Sequence, residues 1–290
     1  MKPTATKPKY ITPSALQRFI SSALKEDIGN GDHTTLACIP PKKKVKAKLI
    51  VKDEGIIAGV EMAKFIFKKI DKNLILKISV RDGEDTKLGD IAFIVEGKAQ
   101  SIVTGERLVL NCMQRMSGIA TKTSQLVSIC RKTRVRILDT RKTTPGFRML
   151  EKWAVKIGGG ENHRFGLFDM ILIKDNHVDY CGGIKNAILS TNDYLKRKKK
   201  KLKIEVEVRN MKELSEALSV GKINRILLDN FSLEQMKEAV KQVNKKFETE
   251  ASGGINESNI RAYAETGVDF ISIGALTHSF RSLDMSLKAF

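Results

Sequence analysis

From residue 135 onward the chain keeps repeating one unit. "VRILDT", "DMILIKD", "KIEVEV", "NRILLDN", "FETEAS" and "DFISIGA" are six short apolar or alternating runs, and the helical stretches "MKELSEALSVG", "SLEQMKEAVKQVNKK" and "NESNIRAYAETG" separate the last four. Alternating strand and helix dictates right-handed βα connections and a parallel sheet. Six or seven such units fit a β/α barrel, an incomplete one, better than a Rossmann sheet. No GxGxxG follows any of the runs, which counts against dinucleotide binding. The fold class expected is α/β.

The earlier part has a different grammar. Residues 14 to 27 carry a helical stripe of Leu16, Phe19, Ile20, Ala23 and Leu24, and "DIGNGDHTT" then makes a tight turn. From 45 to 104, "VKAKLIVKD", "GIIAGVE", "LILKISVRDG" and "DIAFIVEGKAQSIV" are short runs separated by turns, with one helix expected around 60 to 70. This is strand-rich α+β grammar. "GERLVLNCMQRMSGIATKTSQLVSICRK" reads as a helix burying Leu108, Leu110 and Met113, interrupted near Ser117–Gly118.

The barrel reading gives the polar strand ends a common address, because all carboxyl ends of such a barrel open onto one face, where the active site sits. There would converge Asp139, Thr140, Arg141 and Lys142; Lys174 and Asp175; Glu207; Asp229 and Asn230; Ser252, Gly253 and Gly254; and Gly274. The last two strands hold the usual phosphate position of such barrels, and "ASGGI" followed by helical "NESNI" fits it. Between the first two strands a triple glycine, suited to close backbone approach or positive φ, precedes Asn162, His163 and Arg164. His163 taken alone reads as a structural histidine; coupled to Arg164 and a glycine loop it reads as part of a site. Arg141, Lys142, Arg164 and Lys174 make an anion-specific set, arginine gripping planar carboxylates bidentately and lysine offering point charge. Glu207 and Asp229 are oxygen ligands suited to Mg²⁺. Ser252 lies in no GxSxG context and has no evident base.

Charge and cysteine usage bound the rest. The net charge of +19 owes much to "KRKKKKLK" (196–203) and "KKKVKAK" (42–48). Neither run has interleaved aromatics, so nucleic-acid binding is not expected and both read as solvated loops or edge strands. The remaining excess favours anionic small molecules. No apolar run approaches a membrane span, and "MKPTATKPKYITP" reads as a flexible lead-in without a secretory h-region. Cys38, Cys112, Cys130 and Cys181 lie far apart with no CxxC pair, which points to a reduced, cytoplasmic protein with neither disulfides nor zinc.

"DTRKTTPGFRMLEKWAVKIGGGENHRFGLFDMILIKDNH", together with "NCMQRMSGIAT", "EVEV", "ILLDN", "EASGGI", "SIGALTHS" and the N-terminal "EDIGNGDHTT" and "GIIAGVE", closely resembles the quinolinate phosphoribosyltransferase family. The resemblance implies an N-terminal α/β sandwich over 1–115, an incomplete β/α barrel over 116–290 and a last helix that packs back on the first domain. It implies a homodimer with shared active sites. The implied reaction joins quinolinate and phosphoribosyl pyrophosphate, with Mg²⁺, into nicotinate mononucleotide, pyrophosphate and CO₂, in de novo NAD synthesis. Carried onto this sequence, the quinolinate carboxylates meet Arg107 from the partner subunit, Arg141, His163, Arg164 and Lys174, with Thr140 and Lys142 alongside. Glu207 and Asp229 become the ribose and magnesium acids. Ser252, Gly253, Gly254, Gly274 and Ala275 form the 5-phosphate cradle, with His278 nearby. Lys142, Lys174, Glu207 and Asp229 are the expected catalytic set. The chemistry needs no organic cofactor, since the quaternised ring nitrogen itself draws the electrons released by decarboxylation. A nicotinate-specific phosphoribosyltransferase is the nearest alternative reading.

Overall fold

The computed structural model describes residues 7–290; residues 1–6 of the expected lead-in lie outside the described residues. In chain order the elements are α1 (Pro13–Ile28), α2 (His33–Cys38), β1 (Lys44–Val51), β2 (Gly55–Ile56), α3 (Val60–Ile70), β3 (Ile75–Ile78), β4 (Asp85–Thr86), β5 (Ile91–Lys98) and α4 (Ala99–Ile129). There follow β6 (Arg136–Leu138), α5 (Arg148–Ile157), β7 (Ile171–Ile173), α6 (Asp175–Tyr180), α7 (Ile184–Arg197), β8 (Ile204–Val208) and α8 (Met211–Val220). The last are β9 (Arg225–Asp229), α9 (Leu233–Val243), β10 (Glu248–Ser252), α10 (Ile260–Ala264), β11 (Phe270–Ser272), α11 (Ala275–His278) and β12 (Met285–Ala289).

The chain forms two compact units. The first takes the residues up to Ser124 with Thr143–Gly159 and Leu276–Phe290; the second takes Gln125–Lys142 and Gly160–Ala275. In the first, an antiparallel sheet of order β12-β1-β5-β3 buries Ala47, Leu49 and Val51 of β1 on one face, as period-2 alternation requires. The amphipathic α3 buries Val60, Met62, Ala63, Ile66 and Phe67, and Phe67 meets Phe93 of β5 edge to face at 6.2 Å.

Four expectations are corrected here. Of the "KKKVKAK" lysines, Lys42 and Lys43 lie in an exposed turn as expected, but the strand that follows is not an edge: β1 runs between β12 and β5, and Lys44 and Lys46 occupy its exposed face. "AQSIV" is the first turn of α4, not the end of a strand. That helix continues unbroken through Ser117–Gly118; a Cβ on Gly118 would lie 2.9 Å from the Arg281 carbonyl carbon, so the glycine serves close packing and not a break. The C-terminal segment is a strand, β12, hydrogen-bonded to β1, in place of the expected last helix.

The second unit is the six-stranded parallel sheet that the repeat predicted, in the order β6-β11-β10-β9-β8-β7. β6 and β7 are its two edges, so the barrel is incomplete between them; there Leu138 makes a single parallel bridge to Glu161 of the glycine loop. Leu214 and Ala217 of α8 and Met236, Ala239 and Val243 of α9 are buried. The lysine run ends α7 and continues as the connection into β8, where Lys198–Lys201 and Lys203 are exposed.

Candidate active site

Period 2 fixes which strand residues face the barrel interior. On β8, Glu205 and Glu207 share a face; on β9, Arg225 and Asp229; on β10, Glu250 and Ser252. Parallel register sets Glu205 beside Arg225, Glu250 beside Leu227 and Ser252 beside Asp229. Asp229 and Ser252 are level at the carboxyl end; Glu207 pairs with Leu227 one step below, and Lys174 joins them from the end of β7. Lys174 Nζ stands 3.1 Å from Glu207 Oε2. Burial first, then the neighbouring Glu207, raise the Asp229 carboxyl, while Lys174 and a 2.7 Å bond donated by the Asn230 amide oppose them. Two carboxylates and one ammonium thus share a small volume, the donor set that a hard divalent cation or a ribose diol accepts.

The cationic half is built by β6 and the glycine loop. Buried Asp139 accepts from the His163 backbone N–H at 2.9 Å and the Asn162 side-chain amide at 2.6 Å, tying "DTRK" to "NHR". Lys142 N–H donates to Thr140 Oγ1 at 3.0 Å, closing a bend that leaves Arg141 and Lys142 exposed. Arg164 is only 9% exposed; burial first, and the Arg141 charge next, lower its pKa. Like charges on neighbouring loops are stabilised by an anion with two acceptor groups. In the triple glycine both expected freedoms are used: Gly158 leaves only 2.7 Å between a Cβ and Thr123 Cβ, and Gly159 has φ +91°.

The His163 ring is anchored on both sides. Its side chain is 6% exposed, Nδ1 accepts the Arg164 backbone N–H at 2.8 Å, and Nε2 lies 2.8 Å from Glu205 Oε2 and 3.6 Å from Glu250 Oε2. Glu205 and Glu250 are wholly buried, and Arg225 Nη1 lies 2.9 Å from Glu250 Oε2. Burial, then Glu205, push the Glu250 carboxyl up to about 7. The three donor atoms of His163, Glu205 and Glu250 lie within 4.8 Å of one another, but the Arg225 guanidinium already supplies positive charge there, so the group reads as an internal ionic network. Sequence reading missed Glu205, Glu250 and Arg225. The signal was available: in "EVEV" and "ETEAS" the acids alternate with apolar residues on strands whose outer face is covered by helices.

The expected phosphate end lies after β10 and β11. Gly253 and Gly254 have φ +91° and +61°, and a Cβ on Gly253 would lie 2.6 Å from Asn230 Cγ and 2.9 Å from its backbone nitrogen. Asn230 N–H donates to Ser252 O at 2.9 Å, and the Asn259 amide to Gly254 O at 3.1 Å. "NESN" is a turn held by Asn256 and Asn259, not the helix expected; α10 starts only at Ile260, because these asparagines bond the local backbone and offer it an alternative to helix. Gly274 lies in the turn between β11 and α11, and Ala275 opens α11. Two predicted residues belong to the first unit: Arg107, exposed on α4, and His278, exposed at the end of α11.

The model of the quinolinate phosphoribosyl transferase C-terminal domain matches residues 119–288, and that of its N-terminal domain matches 32–117. The chain belongs to the quinolinate phosphoribosyltransferase family. The carboxylating nicotinate-nucleotide pyrophosphorylase of Arabidopsis thaliana is 44% identical over 288 residues, spanning 94% of this chain and 82% of the plant protein. A probable carboxylating nicotinate-nucleotide pyrophosphorylase of Bacillus subtilis is 40% identical over 272 residues, 94% of this chain and 92% of its own. The structure of the Francisella tularensis nicotinate-nucleotide pyrophosphorylase superposes with a TM-score of 0.89 at 38% identity, covering 97% of this chain and 98% of that one. The α/β architecture of the quinolinate phosphoribosyltransferases, an antiparallel-sheet part and a parallel six-stranded β/α part, is the one described above.

Proposed function

We infer that the carboxyl-end face of the barrel is where this enzyme runs the quinolinate phosphoribosyltransferase reaction. It is a carboxylating nicotinate-nucleotide pyrophosphorylase of de novo NAD biosynthesis. Quinolinate and phosphoribosyl pyrophosphate give nicotinate mononucleotide, pyrophosphate and CO₂. The observation that carries the site is the tie of buried Asp139 to the His163 N–H and the Asn162 amide, which joins the loop of Arg141 to the loop of Arg164, together with the Lys174–Glu207–Asp229 group. A dicarboxylate satisfies the two guanidiniums, with Thr140 and Lys142 alongside, and the ring nitrogen is then presented to ribose C1. Departure of pyrophosphate leaves positive charge on the ribose, which Glu207 and Asp229 stabilise, while Lys142 and Lys174 face the departing charge. Ser252, Gly253, Gly254, Gly274 and Ala275 hold the 5-phosphate, with His278 serving the same substrate. Decarboxylation draws on the quaternised nitrogen and asks no proton of the protein at the carbon that loses CO₂ until the ylide is quenched.

Glu207 and Asp229 fit a magnesium ion, since both are hard oxygen donors near one another with Lys174 as the facing cation. When bound, it neutralises charge on the pyrophosphate. We place the enzyme as a homodimer in which Arg107 reaches the partner's quinolinate site, without nucleic-acid partners. Among the described residues no helix is long and apolar enough to cross a membrane. Four free cysteines with no pairing suit a reducing compartment, the cytoplasm in this reading.

The test is incubation with phosphoribosyl pyrophosphate, Mg²⁺ and either quinolinate or nicotinate, scoring CO₂ and mononucleotide. Nicotinate lacks the 2-carboxylate and leaves a desolvated cation unpaired. That costs ~2–5 kcal/mol, roughly 30-fold to a few thousand-fold in kcat/KM. Comparable turnover of both acids would reassign the substrate.

A further inference from the structure

β/α barrel interiors are ordinarily filled by Val, Ile and Leu. Beneath this active site the filling is Glu205, Arg225 and Glu250, capped by the His163 ring. Glu205 Oε1 and Oε2 and Glu250 Oε1 are buried and accept no well-aligned hydrogen bond, Glu205 Oε2 meeting His163 Nε2 at 2.8 Å as a charge contact, and such an arrangement costs stability. An apolar filling would avoid that cost, so the network's use lies in what it holds.

What it holds is a ring with both nitrogens assigned. Because Nδ1 accepts the Arg164 backbone N–H at 2.8 Å, the ring proton sits on Nε2, which faces Glu205 Oε2 at 2.8 Å. Glu250 backs the same nitrogen at 3.6 Å and is itself gripped by Arg225 at 2.9 Å. The chain of contacts runs from Arg225 through Glu250 and Glu205 to His163, and ends on the main chain of Arg164. We propose that Glu205 and Glu250 are positioning residues for quinolinate: they hold His163 as the Nε2–H tautomer, so that Nδ1 fixes the backbone of Arg164 and aims its guanidinium at the substrate. This rests on the quinolinate reading of the site and adds to it a supporting layer that never touches substrate.

Two measurements test it. In the first, Glu205→Leu removes the acceptor and Glu205→Gln keeps an acceptor oxygen of the same shape. The Leu variant should raise KM for quinolinate on the order of 10- to 100-fold, the usual effect of removing such a supporting partner. KM for phosphoribosyl pyrophosphate should stay within about twofold, and the Gln variant should restore most of the difference. A folded Leu variant with wild-type KM for quinolinate, or with both KM values raised alike, overturns the proposal. In the second, the ¹⁵N spectrum of the wild-type imidazoles, with His163 assigned by His163→Gln, should show a neutral ring protonated at Nε2. A ring protonated at Nδ1, or at both nitrogens, overturns it whether or not the Leu variant folds. The spectrum needs no turnover, so failure of the substrate assignment in the wild-type assay stays separate from failure of this one.

Discussion

Lys174 Nζ and Glu207 Oε2 are 3.1 Å apart across the β7–β8 strand ends, yet the lysine side chain is 48% exposed and the glutamate 8%. The acid has left water; the cation has not. Lys174→Met would strand a desolvated carboxylate beside Asp229, a group already raised by burial and then by Glu207. Half-exposure of the lysine tempers the stability cost to a fraction of what a buried pair would show. We expect kcat/KM for quinolinate to fall by about a hundredfold or more, with Tm lowered by a few degrees. Steady-state kinetics with both substrates and a thermal melt check this; near-normal turnover would detach Lys174 from the chemistry.

The phosphate cradle is expected to reject a single methyl group. At Gly253 the φ of +91° and the nearby Asn230 leave no room for Cβ. Left-handed backbone on a non-glycine residue costs about 1–3 kcal/mol before any clash is counted. Gly253→Ala should therefore raise KM for phosphoribosyl pyrophosphate at least tenfold, with a smaller effect on quinolinate. Gly254→Ala, where a Cβ meets nothing within 4 Å, should be milder. Equal effects would show that the cradle is not set by the Asn230 contact.

Complementation tests the shared site. Arg107→Ala and Lys174→Ala should each be nearly inactive alone. In a mixed dimer the Arg107→Ala protomer offers an intact barrel and its partner an intact Arg107, so one of two sites is whole. Random co-assembly makes half of the dimers mixed, and about a quarter of wild-type activity should return. Verified mixed dimers without recovery would place Arg107 outside the partner's site.

Stability should carry the imprint of Glu250. Its carboxyl is pushed up to about 7 in the folded chain, against an ordinary value of 4.5. Between those values the folded chain binds more protons than the unfolded one, so stability falls as pH rises from about 4.5 to about 7 and levels off above. Glu250→Gln should flatten that part of the profile. Urea midpoints at half-unit steps from pH 5 to 8 read it directly, and an unchanged slope would mean that Glu250 titrates normally.

Much of the second unit was legible because turn chemistry and period agree there: each of the six runs contains a strand of the parallel sheet. Other features were ambiguous for physical reasons. Gly118 looks like a helix break, but close approach and bond rotation call for the same residue, and only the packed neighbour at Arg281 decides which applies. Glu205 and Glu250 look like solvent-facing positions of alternating strands until the helices on the outer face are counted. Asn256 and Asn259 delay the start of α10 through side-chain bonds that compete with helix. His163 carried two readings, and which way its ring turns is encoded by no spacing.

The antiparallel sheet of the first unit has a consequence for the order of assembly. Val51 pairs with Met285, and Ala47 with Ala289, so β1 gains its second neighbour only from residues translated after every strand of the barrel. A chain emerging from the ribosome can close the parallel sheet while this edge of β1 is still unpaired, a strand edge open to wrong partners. A nascent or C-terminally clipped chain would carry that exposed edge with its barrel already formed.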